Sequence, residues 1–493
     1  MNTYSPMTFL RRGAGIALAM AAVVFSAPAF SAATIVILNV NAPGEGFNDP
    51  TPVAPVGGNT GTTLGAQRLN AFQAAASIWG SHLTSAQTIV VRASFEPLPC
   101  NATSGALGTA GAFNIWRDFA NAPKPFTLYP QALANKYAGA NLGNNVPNGL
   151  GQDIRARFNS NAGLPGCLEG SPFYLGLDNN FGSMVDLVQV VLHELAHGLG
   201  FDTYTDANTG ALFLGNEPVP VPSIWDHFLL DTSANKLWIN MTDAERAASA
   251  RNPRKVVWAG ANVTNAVPSV LSLGTPRLIV GGPAAGLAAG EYMVGTAEFG
   301  AQLGAAPVTG QLMPVVDQAN GTGLACTPLS AINALAVKNN IALVDRGTCT
   351  FETKALNVQN AGAIAMIVAD NVAGSPPDSL AEDATVSGVV IPAVRITQSD
   401  GAALKTRLSR RSRTASGVVA DLGLNMNQRA GADSLGRALM YTPNPFDDGS
   451  SVLHWDTIAF PNLLMEPFET GDLSHDVTPP RDMTLPLLQD IGW

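Results

Sequence analysis

The residues of this chain whose types and spacing most clearly suggest chemistry are His193, Glu194 and His197, in the run His-Glu-Leu-Ala-His. Apolar residues recur every three or four positions around them, which predicts a helix opened by Ser183 with Asp186 as its capping-box partner. Four residues advance a helix by about 400° and about 6 Å, so the two imidazoles lie on one face, one turn apart. Two imidazoles in this arrangement can share one tetrahedral zinc ion.

Glu194 has a different position on the same predicted helix. It is rotated by about 100° from His193, so its carboxylate borders the metal without being required to bind it. A zinc ion lowers the pKa of a bound water from about 15.7 towards 7 and polarises a scissile carbonyl. Glu194 is suited to take a proton from that water and pass it to the leaving amine. The motif therefore predicts one catalytic zinc ion and zinc-dependent hydrolysis of peptide bonds within protein or peptide substrates.

A catalytic zinc site requires a third protein ligand. The extended pattern HExxHxxGxxH would place a histidine six residues after the second one. Gly200 of that pattern is present, but Thr203 stands at the histidine position and is a poor ligand. The ligand must come from elsewhere in the chain, and four histidines remain: His82, His227, His454 and His475.

The surroundings of these four histidines differ. His82 lies near the polar edge of a helix predicted to begin after Thr62 and Thr63, and we expect it at the surface. His227 is expected to be buried support, and His475 precedes Asp476 near the C-terminus without a pattern that marks it as a ligand. His454 has the most informative neighbours.

Residues 450–456 read Ser-Ser-Val-Leu-His-Trp-Asp, and residues 460–467 read Phe-Pro-Asn-Leu-Leu-Met-Glu-Pro. With the HExxHxxG helix, these segments resemble the leishmanolysin-like branch of the metzincin zinc peptidases, in which an insertion separates that helix from the third histidine. The resemblance implies that His454 is the third zinc ligand and Met465 the methionine of the Met-turn under the metal. It also implies that the chain turns below the helix at Gly200.

Residues 341–363 carry a second resemblance. They read Ile-Ala-Leu-Val-Asp-Arg-Gly-Thr-Cys-Thr-Phe-Glu-Thr-Lys-Ala-Leu-Asn-Val-Gln-Asn-Ala-Gly-Ala, and with Ala-Asp-Asn at 369–371 they are similar to a protease-associated (PA) domain. Such domains are β-rich modules with flanking helices that accompany peptidase domains and have no catalytic residues. An insertion between two metal-ligand segments must lie at the surface, where it could form one wall of the cleft. Glu352 and Lys354, on the polar face of a helix predicted from Phe351 to Asn360, are expected to be solvated.

The two resemblances imply an α+β fold in which a metzincin-like zincin catalytic domain is interrupted by a β-rich PA domain. Arg11 and Arg12, followed by an apolar run over 14–25 and small residues, predict a secretory signal peptide. Residues 275–310, rich in Gly and Ala and nearly uncharged, predict a domain boundary. The expected division is a signal peptide (1–33), a first catalytic part (34–305), the PA insertion (306–420) and a second catalytic part (421–493).

Composition and cysteine content restrict the setting. The formal net charge of −10 argues against nucleic-acid binding, which needs a basic face. No segment of the expected mature chain is apolar and long enough for stable membrane insertion, so we expect secretion to the extracellular space or periplasm. An exported protein with four cysteines is expected to form two disulfides. Of three possible pairings we favour Cys100 with Cys167 and Cys326 with Cys349, because each pair then lies within one domain.

Two other functions fit parts of the sequence. In the first, the PA domain of a secreted binding protein performs the function and the zinc is structural, closed by a fourth ligand such as His475 or Asp476. Glu194 argues against it, because a structural site gains nothing from an acid there. In the second, the same zinc chemistry acts on a non-peptide amide or ester. The group that stabilises the oxyanion is not identified, and Tyr441 is only one candidate; a calcium site and an oligomeric state are not indicated.

Overall fold

A computed structural model describes residues 32–145, 151–382 and 385–493. The expected signal peptide lies outside these residues, except for its last two. In the described ranges the helices are α1 (Leu64–His82), α2 (Gln131–Ala138), α3 (Leu187–Leu199), α4 (Asp243–Ser249), α5 (Ala261–Val270), α6 (Ala331–Val337), α7 (Phe351–Asn360), α8 (Gln398–Leu408) and α9 (Thr484–Ile491). Together with the strands given below, these helices make the chain a mixed α/β protein.

The described residues also form nineteen strands, and β12 to β19 belong to one large sheet. In chain order they are β1 (Ile35–Asn39), β2 (Ile89–Glu96), β3 (Gly108–Ala112), β4 (Ile115–Trp116), β5 (Tyr129–Pro130), β6 (Ile154–Asn159), β7 (Phe173–Tyr174), β8 (Val185–Asp186), β9 (Leu229–Asp231), β10 (Lys236–Leu237), β11 (Val256–Trp258), β12 (Leu273–Gly281), β13 (Gly290–Tyr292), β14 (Gly295–Thr296), β15 (Val308–Pro314), β16 (Ile341–Asp345), β17 (Ala365–Ala369), β18 (Ala393–Ile396) and β19 (Val419–Arg429).

A four-stranded sheet in the order β1-β2-β6-β3 carries the first half of the fold. β1, β2 and β6 are parallel, and β3 pairs antiparallel with β6 at the edge. The predicted strand–helix–strand start is confirmed, with α1 capped by Thr63, whose Oγ1 accepts the N–H of Ala66 at 3.2 Å. Trp79 of α1 is fully buried and donates its indole N–H to the carbonyl of Leu192 on α3 at 3.0 Å. Helices α1 and α3 are thereby fixed against each other.

Helix α3 begins later than the sequence suggests. The prediction that Ser183 opens it is wrong: the N-cap is Asp186, whose carboxylate accepts the N–H groups of Val188 at 2.8 Å and Gln189 at 3.3 Å. A carboxylate that accepts two backbone N–H groups at a helix N-terminus is a strong cap, and it is also favoured by the helix dipole. Of the two glycines at which the sequence allows the helix to stop, Gly198 lies inside it and Gly200 is its C-cap.

An eight-stranded sheet occupies the middle of the chain, in the order β13-β12-β19-β15-β16-β17-β18-β14. The strands β15 to β18 are parallel neighbours, and the predicted strand–helix–strand unit is present as β16, α7 and β17. The sheet extends on both sides beyond residues 306–420. β12, within the segment expected to be a boundary, pairs antiparallel with β19 over nearly its whole length. Low charge and many glycines in this segment therefore accompany paired strands of the sheet, where backbone pairing replaces side-chain signals.

Lys354 is not solvated, contrary to the expectation from the helix face. It is 0% exposed, and its ammonium donates to the carbonyls of Leu324 and Gly347, both at 2.7 Å. Burial lowers its pKa to about 8. Glu352 is also buried, at 4% exposure. The polar face of α7 packs under a loop, so these two residues contribute to the packing of α7.

Two disulfides join the cysteines as the sequence analysis favours, Cys100 to Cys167 and Cys326 to Cys349. Disulfides are typical of proteins in oxidising compartments. Over the described ranges, every helix is too short or too polar to cross a bilayer.

Candidate metal centre

Three histidines from distant parts of the chain meet at one point. His193 and His197 project from successive turns of α3, and His454 comes from the loop that follows the eight-stranded sheet. The Nε2 atom of His193 lies 3.2 Å from Nε2 of His197 and 3.2 Å from Nε2 of His454. All three ligand atoms lie within 4.8 Å of one another. Among the described residues this is the one group of three or more His, Cys, Asp or Glu side chains close enough to share a metal ion.

The other ring nitrogen of each histidine is held by a backbone carbonyl. Nδ1 of His193 lies 2.7 Å from the carbonyl oxygen of Leu464, and Nδ1 of His197 lies 2.7 Å from that of Phe201. Nδ1 of His454 is 2.9 Å from the carbonyl oxygen of Ser450. A carbonyl only accepts, so each Nδ1 must carry the ring proton and each Nε2 must present its lone pair.

This arrangement fits a metal ion. Three lone pairs at such short distances repel each other unless a cation lies between them. Tetrahedral zinc with Zn–N bonds of about 2.0–2.1 Å separates its ligand nitrogens by about 3.3–3.4 Å, close to the distances found here. Burial lowers the pKa of His193 to about 4 and of His197 to about 3, and it lowers the pKa of His454 well below its usual range. Neutral imidazoles are the form that binds metal.

Glu194 lies beside this group, against the edge strand β3. Its side chain is 8% exposed and accepts a hydrogen bond from the backbone N–H of Ala110. A Cβ placed on Gly108 would lie 2.9 Å from the Cγ of Glu194, so only glycine leaves room for the carboxylate there. Burial raises the pKa of Glu194 to about 8, with a further contribution from the charge of Glu469, while the Ala110 bond lowers it. A nearby cation would favour the ionised form.

The turn that contains Met465 supports two of the three histidines. Leu464 accepts the hydrogen bond from His193, and the carbonyl of Met465 accepts the N–H of Trp455, the residue after His454, at 2.8 Å. Met465 itself is 0% exposed. The turn therefore determines where both ligand segments lie.

Two buried carboxylates hold this turn in place. Glu466 accepts the N–H of Leu463 at 2.8 Å, and Asp482 accepts the N–H of Leu464 at 2.8 Å. Asp482 also accepts the N–H of Thr484 at the start of α9, at 2.6 Å. Burial raises the pKa of both carboxyl groups. The sequence indicates Asp482 as a cap of the last helix, but the support that both acids give to this turn was missed, because an isolated Glu or Asp in a loop gives no pattern that distinguishes support from solvation.

Gly200 ends α3 with φ of +124°, a conformation that residues with a side chain rarely adopt. The turn brings the carbonyl of Phe201 back to Nδ1 of His197. A Cβ on Gly200 would also lie 2.8 Å from Cδ1 of Ile491 in α9. The glycine is thus required both by the backbone and by the packing below the helix.

The remaining candidates do not join the group. His82 is exposed, and His227 contacts the hydroxyl of Thr127 at 3.1 Å. His475 lies 3.1 Å from the carboxylate of Asp186, the N-cap of α3, while the hydroxyl of Ser474 donates to Asp476. Thr203, at the position that a histidine takes in the extended motif, donates to Asp226. A fourth protein ligand is therefore not found among the described residues.

Strand β3 presents a free edge beside the three histidines. Its neighbour β6 lies on one side, and it pairs with no other strand in the described part of the chain. The N–H of Phe113 donates to Asp153, and the carbonyl of Leu107 accepts from Asn159, so alternate residues face β6. The backbone groups of Gly108, Ala110 and Ala112 therefore point away from β6, and on this side the N–H of Ala110 donates to Glu194 of α3. No side-chain pattern reveals this edge in a Gly- and Ala-rich segment.

Comparison with known families identifies one region of the chain. Residues 308–404 match the PA domain. Curated relatives include the human ER degradation-enhancing alpha-mannosidase-like protein 3 (41% identical over 85 residues, 17% of this chain and 8% of that protein) and vacuolar-sorting receptor 2 of Arabidopsis thaliana (37% over 73 residues, 14% and 12%). A probable leucine aminopeptidase 2 of Aspergillus fumigatus is 35% identical over 89 residues, 16% of this chain and 18% of that protein. The matches thus span less than a fifth of these relatives.

Solved structures are similar to this chain only at low sequence identity and low TM-score. A zinc aminopeptidase from Bacillus subtilis is 21% identical, with 34% of this chain and 35% of that chain covered and a TM-score of 0.22. An aminopeptidase from Aneurinibacillus sp. strain AM-1 is 16% identical, with 45% and 43% covered and a TM-score of 0.21. Similarity of this size does not define the fold of the chain outside the PA domain.

Proposed function

We propose that the protein is a secreted zinc-dependent endopeptidase of the leishmanolysin-like metzincin branch, with a catalytic domain in two parts around an inserted PA domain. The observation that carries the proposal is the convergence of His193, His197 and His454 with their Nε2 lone pairs directed at one point. Glu194 lies beside that point, and the turn of Met465 lies under it. The PA domain at 308–404 is consistent with this family of proteins but contributes no residue to the metal site.

The roles of the residues follow from their positions. A zinc ion on the three histidines would supply a Lewis acid and lower the pKa of water at the site. Glu194 would take a proton from the attacking water and return it to the leaving amine. The N–H of Ala110 holds the Glu194 carboxylate in position, and the three backbone carbonyls hold the imidazoles in the required tautomer. Burial strengthens each of these electrostatic interactions.

The free edge of β3 favours an endopeptidase over an aminopeptidase. A substrate in extended conformation can add as a strand to an exposed sheet edge, and the main chain then supplies the binding energy. An edge that faces the cleft on both sides of Ala110 would hold the chain on both sides of the scissile bond. An exopeptidase needs instead a closed end that captures a terminus.

The alternative of a structural zinc in a PA-domain binding protein has less support. Such a site is closed by four protein ligands. His475 and Asp476, the residues that would close it, are hydrogen-bonded elsewhere, to Asp186 and Ser474. A zinc ion held by the three histidines alone would keep one position for water or substrate.

The proposal is tested with the zinc-loaded mature protein, an unfolded protein substrate and a short peptide made with a free and with an acetylated N-terminus. We expect cleavage at internal bonds of both, with loss of activity in the presence of a chelator and recovery on addition of zinc. Cleavage of only the free-amine form of the peptide would favour an aminopeptidase. A protein that holds zinc tightly and cleaves neither substrate would overturn the proposal.

A further inference from the structure

A cavity of about 310 Å³ lies where the PA domain meets the segment that carries His454. Backbone hydrogen bonds fix the two sides together: the N–H of Ser375 donates to Asn444 at 2.8 Å, and the N–H of Asn444 donates to Ser375 at 2.7 Å. The residues that matter for its chemistry are Arg346, Asp370 and Arg395 on the PA side, and Tyr441, Asp447 and Phe468 on the other.

The cavity adjoins the candidate metal centre. The N–H of Tyr441 donates to the carbonyl of His454 at 2.9 Å, and the carbonyl of Tyr441 accepts the N–H of Val452 at 2.7 Å. Phe468, which also lines the cavity, is followed in the chain by Glu469. The charge of Glu469 helps to raise the pKa of Glu194. The cavity and the candidate metal centre are therefore formed by neighbouring segments of the chain.

The charges that line the cavity are not balanced. Arg346 lies 3.0 Å from Asp370, and Arg395 pairs with both Asp370 and Asp378, the latter at 3.2 Å. Two guanidinium groups are thus matched by two carboxylates, and Asp447 is left over.

Asp447 has no cation within ion-pair distance among the residues that the structure describes. Its carboxylate accepts a hydrogen bond from the side chain of Ser450. Burial raises its pKa, and the charges of Asp448 and Asp378 raise it further. A half-buried carboxylate in such surroundings would gain from a cationic partner.

Two aromatic rings stand beside this carboxylate. The ring centroids of Tyr441 and Phe468 are 6.3 Å apart, in an edge-to-face arrangement. Tyr441 is buried, whereas Phe468 is 55% exposed. Aromatic faces pack well against the methylene groups of a long basic side chain and attract its charged end.

We propose that this cavity is a substrate subsite that holds a positively charged group of the peptide, with Asp447 as its counter-ion and Tyr441 and Phe468 packed against its stem. The inference rests on the proposed peptidase function and adds a substrate preference, in which the PA domain forms one wall. The positive group can be a Lys or Arg side chain or the N-terminal amine of a peptide. Peptides with free and with acetylated N-termini, described below, distinguish these two sources.

The test compares matched pairs of peptides that carry Lys or norleucine at one position, moved stepwise along the sequence around the scissile bond, each made with a free and with an acetylated N-terminus. We expect the wild type to cleave the Lys peptide more efficiently at one position, with a kcat/KM ratio of about threefold to fivefold, as for a partly exposed ion pair. Asp447→Asn removes the preference. Asp448→Asn is the matched control, because it removes the same charge one residue away and does not line the cavity.

A second variant keeps the inference testable if Asp447→Asn fails to fold. Phe468→Ala changes an exposed ring, and it should weaken the Lys preference while zinc content and Tm stay unchanged. An equal Lys preference in the wild type, Asp447→Asn and Phe468→Ala overturns the inference and leaves the peptidase function intact. A preference that needs a free N-terminal amine, and that Asp447→Asn abolishes, assigns the cavity to the amine.

Absence of cleavage in all proteins overturns the proposed function instead. Calorimetric binding of the Lys and norleucine peptides to the zinc-loaded protein then decides on the cavity. Tighter binding of the Lys peptide that depends on Asp447 supports the cation site, and equal binding of the two peptides overturns it.

Discussion

Nδ1 of His193 lies 2.7 Å from the carbonyl oxygen of Leu464, a residue 271 positions further along the chain. This hydrogen bond joins the HExxH helix to the turn that also holds the segment of His454. The eight-stranded sheet lies between them in sequence. Its ends must therefore be close together for the three histidines to meet, and the antiparallel pairing of β12 with β19 achieves this.

Glu194→Gln should abolish most of the peptidase activity. The amide fills the same space but cannot accept a proton from water, so we expect kcat to fall by about 10²–10⁴-fold. Zinc content should not change, because Glu194 is not among the three ligands. Activity and bound zinc are measured on the same preparation. A variant that retains full activity would show that another group is the base.

His454→Ala should weaken zinc binding by more than the roughly 10–100-fold that loss of a supporting group costs. The ion would keep only the two ligands of α3. His475→Ala and His82→Ala are matched controls, since these histidines lie outside the metal group. Affinity is measured by competition with a chelator. Equal affinities in all three variants would remove His454 from the ligand set.

The stability of the zinc-free protein should depend on the ionisation of Glu194. Burial raises its pKa to about 8, against about 4.3 in an unfolded chain. A carboxyl group whose pKa is raised on folding contributes stability that is present at acid pH and is lost as the pH rises through about 8. The free energy of unfolding of the metal-free wild type, measured with urea, should therefore fall between pH 5 and pH 8 by on the order of a few kcal/mol relative to that of Glu194→Gln.

The same comparison with zinc bound is the control for that effect. A cation beside the carboxylate favours its ionised form and lowers its pKa. The difference between wild type and Glu194→Gln should then become smaller. Parallel pH profiles of the two metal-free proteins would contradict the buried, raised-pKa state of Glu194.

Met465→Leu should be tolerated, whereas Met465→Ala should not. The leucine keeps the volume of a fully buried side chain and is expected to cost less than about 1.5 kcal/mol. The alanine leaves a cavity under the metal site and should cost about 2–5 kcal/mol. Zinc should remain bound in Met465→Leu, because the contacts to the histidine segments come from backbone carbonyls. Loss of zinc in that variant would indicate that the sulfur itself is needed.

The two disulfides should contribute unequally to stability. The bond between Cys100 and Cys167 closes a separation of 67 residues and that between Cys326 and Cys349 one of 23, which gives roughly 4 and 3 kcal/mol from chain entropy. Replacement of each pair by alanine is compared by urea unfolding. A larger loss from the shorter loop would show that local packing outweighs chain entropy.

The sequence alone was enough to predict the helix that carries the HExxH motif and the zinc chemistry that this motif implies. His193, Glu194 and His197 are four residues or fewer apart, so helix geometry alone brings the two histidines together. Gly200 and the strand–helix–strand unit of the PA domain could likewise be predicted from local rules. His454 and Met465 were named only by resemblance, because no local rule links residues more than 250 positions apart.

The tertiary structure decided the remaining features of the site. The carbonyls of Leu464, Phe201 and Ser450 that fix the tautomers are backbone groups, which are the same in every residue. The free edge of β3 depends on which strands pair, and pairing is a long-range choice. The burial of Lys354 depends on a loop folded over α7. Each of these features arises from contacts between distant segments. Such contacts cannot be predicted from the residues that are adjacent in sequence.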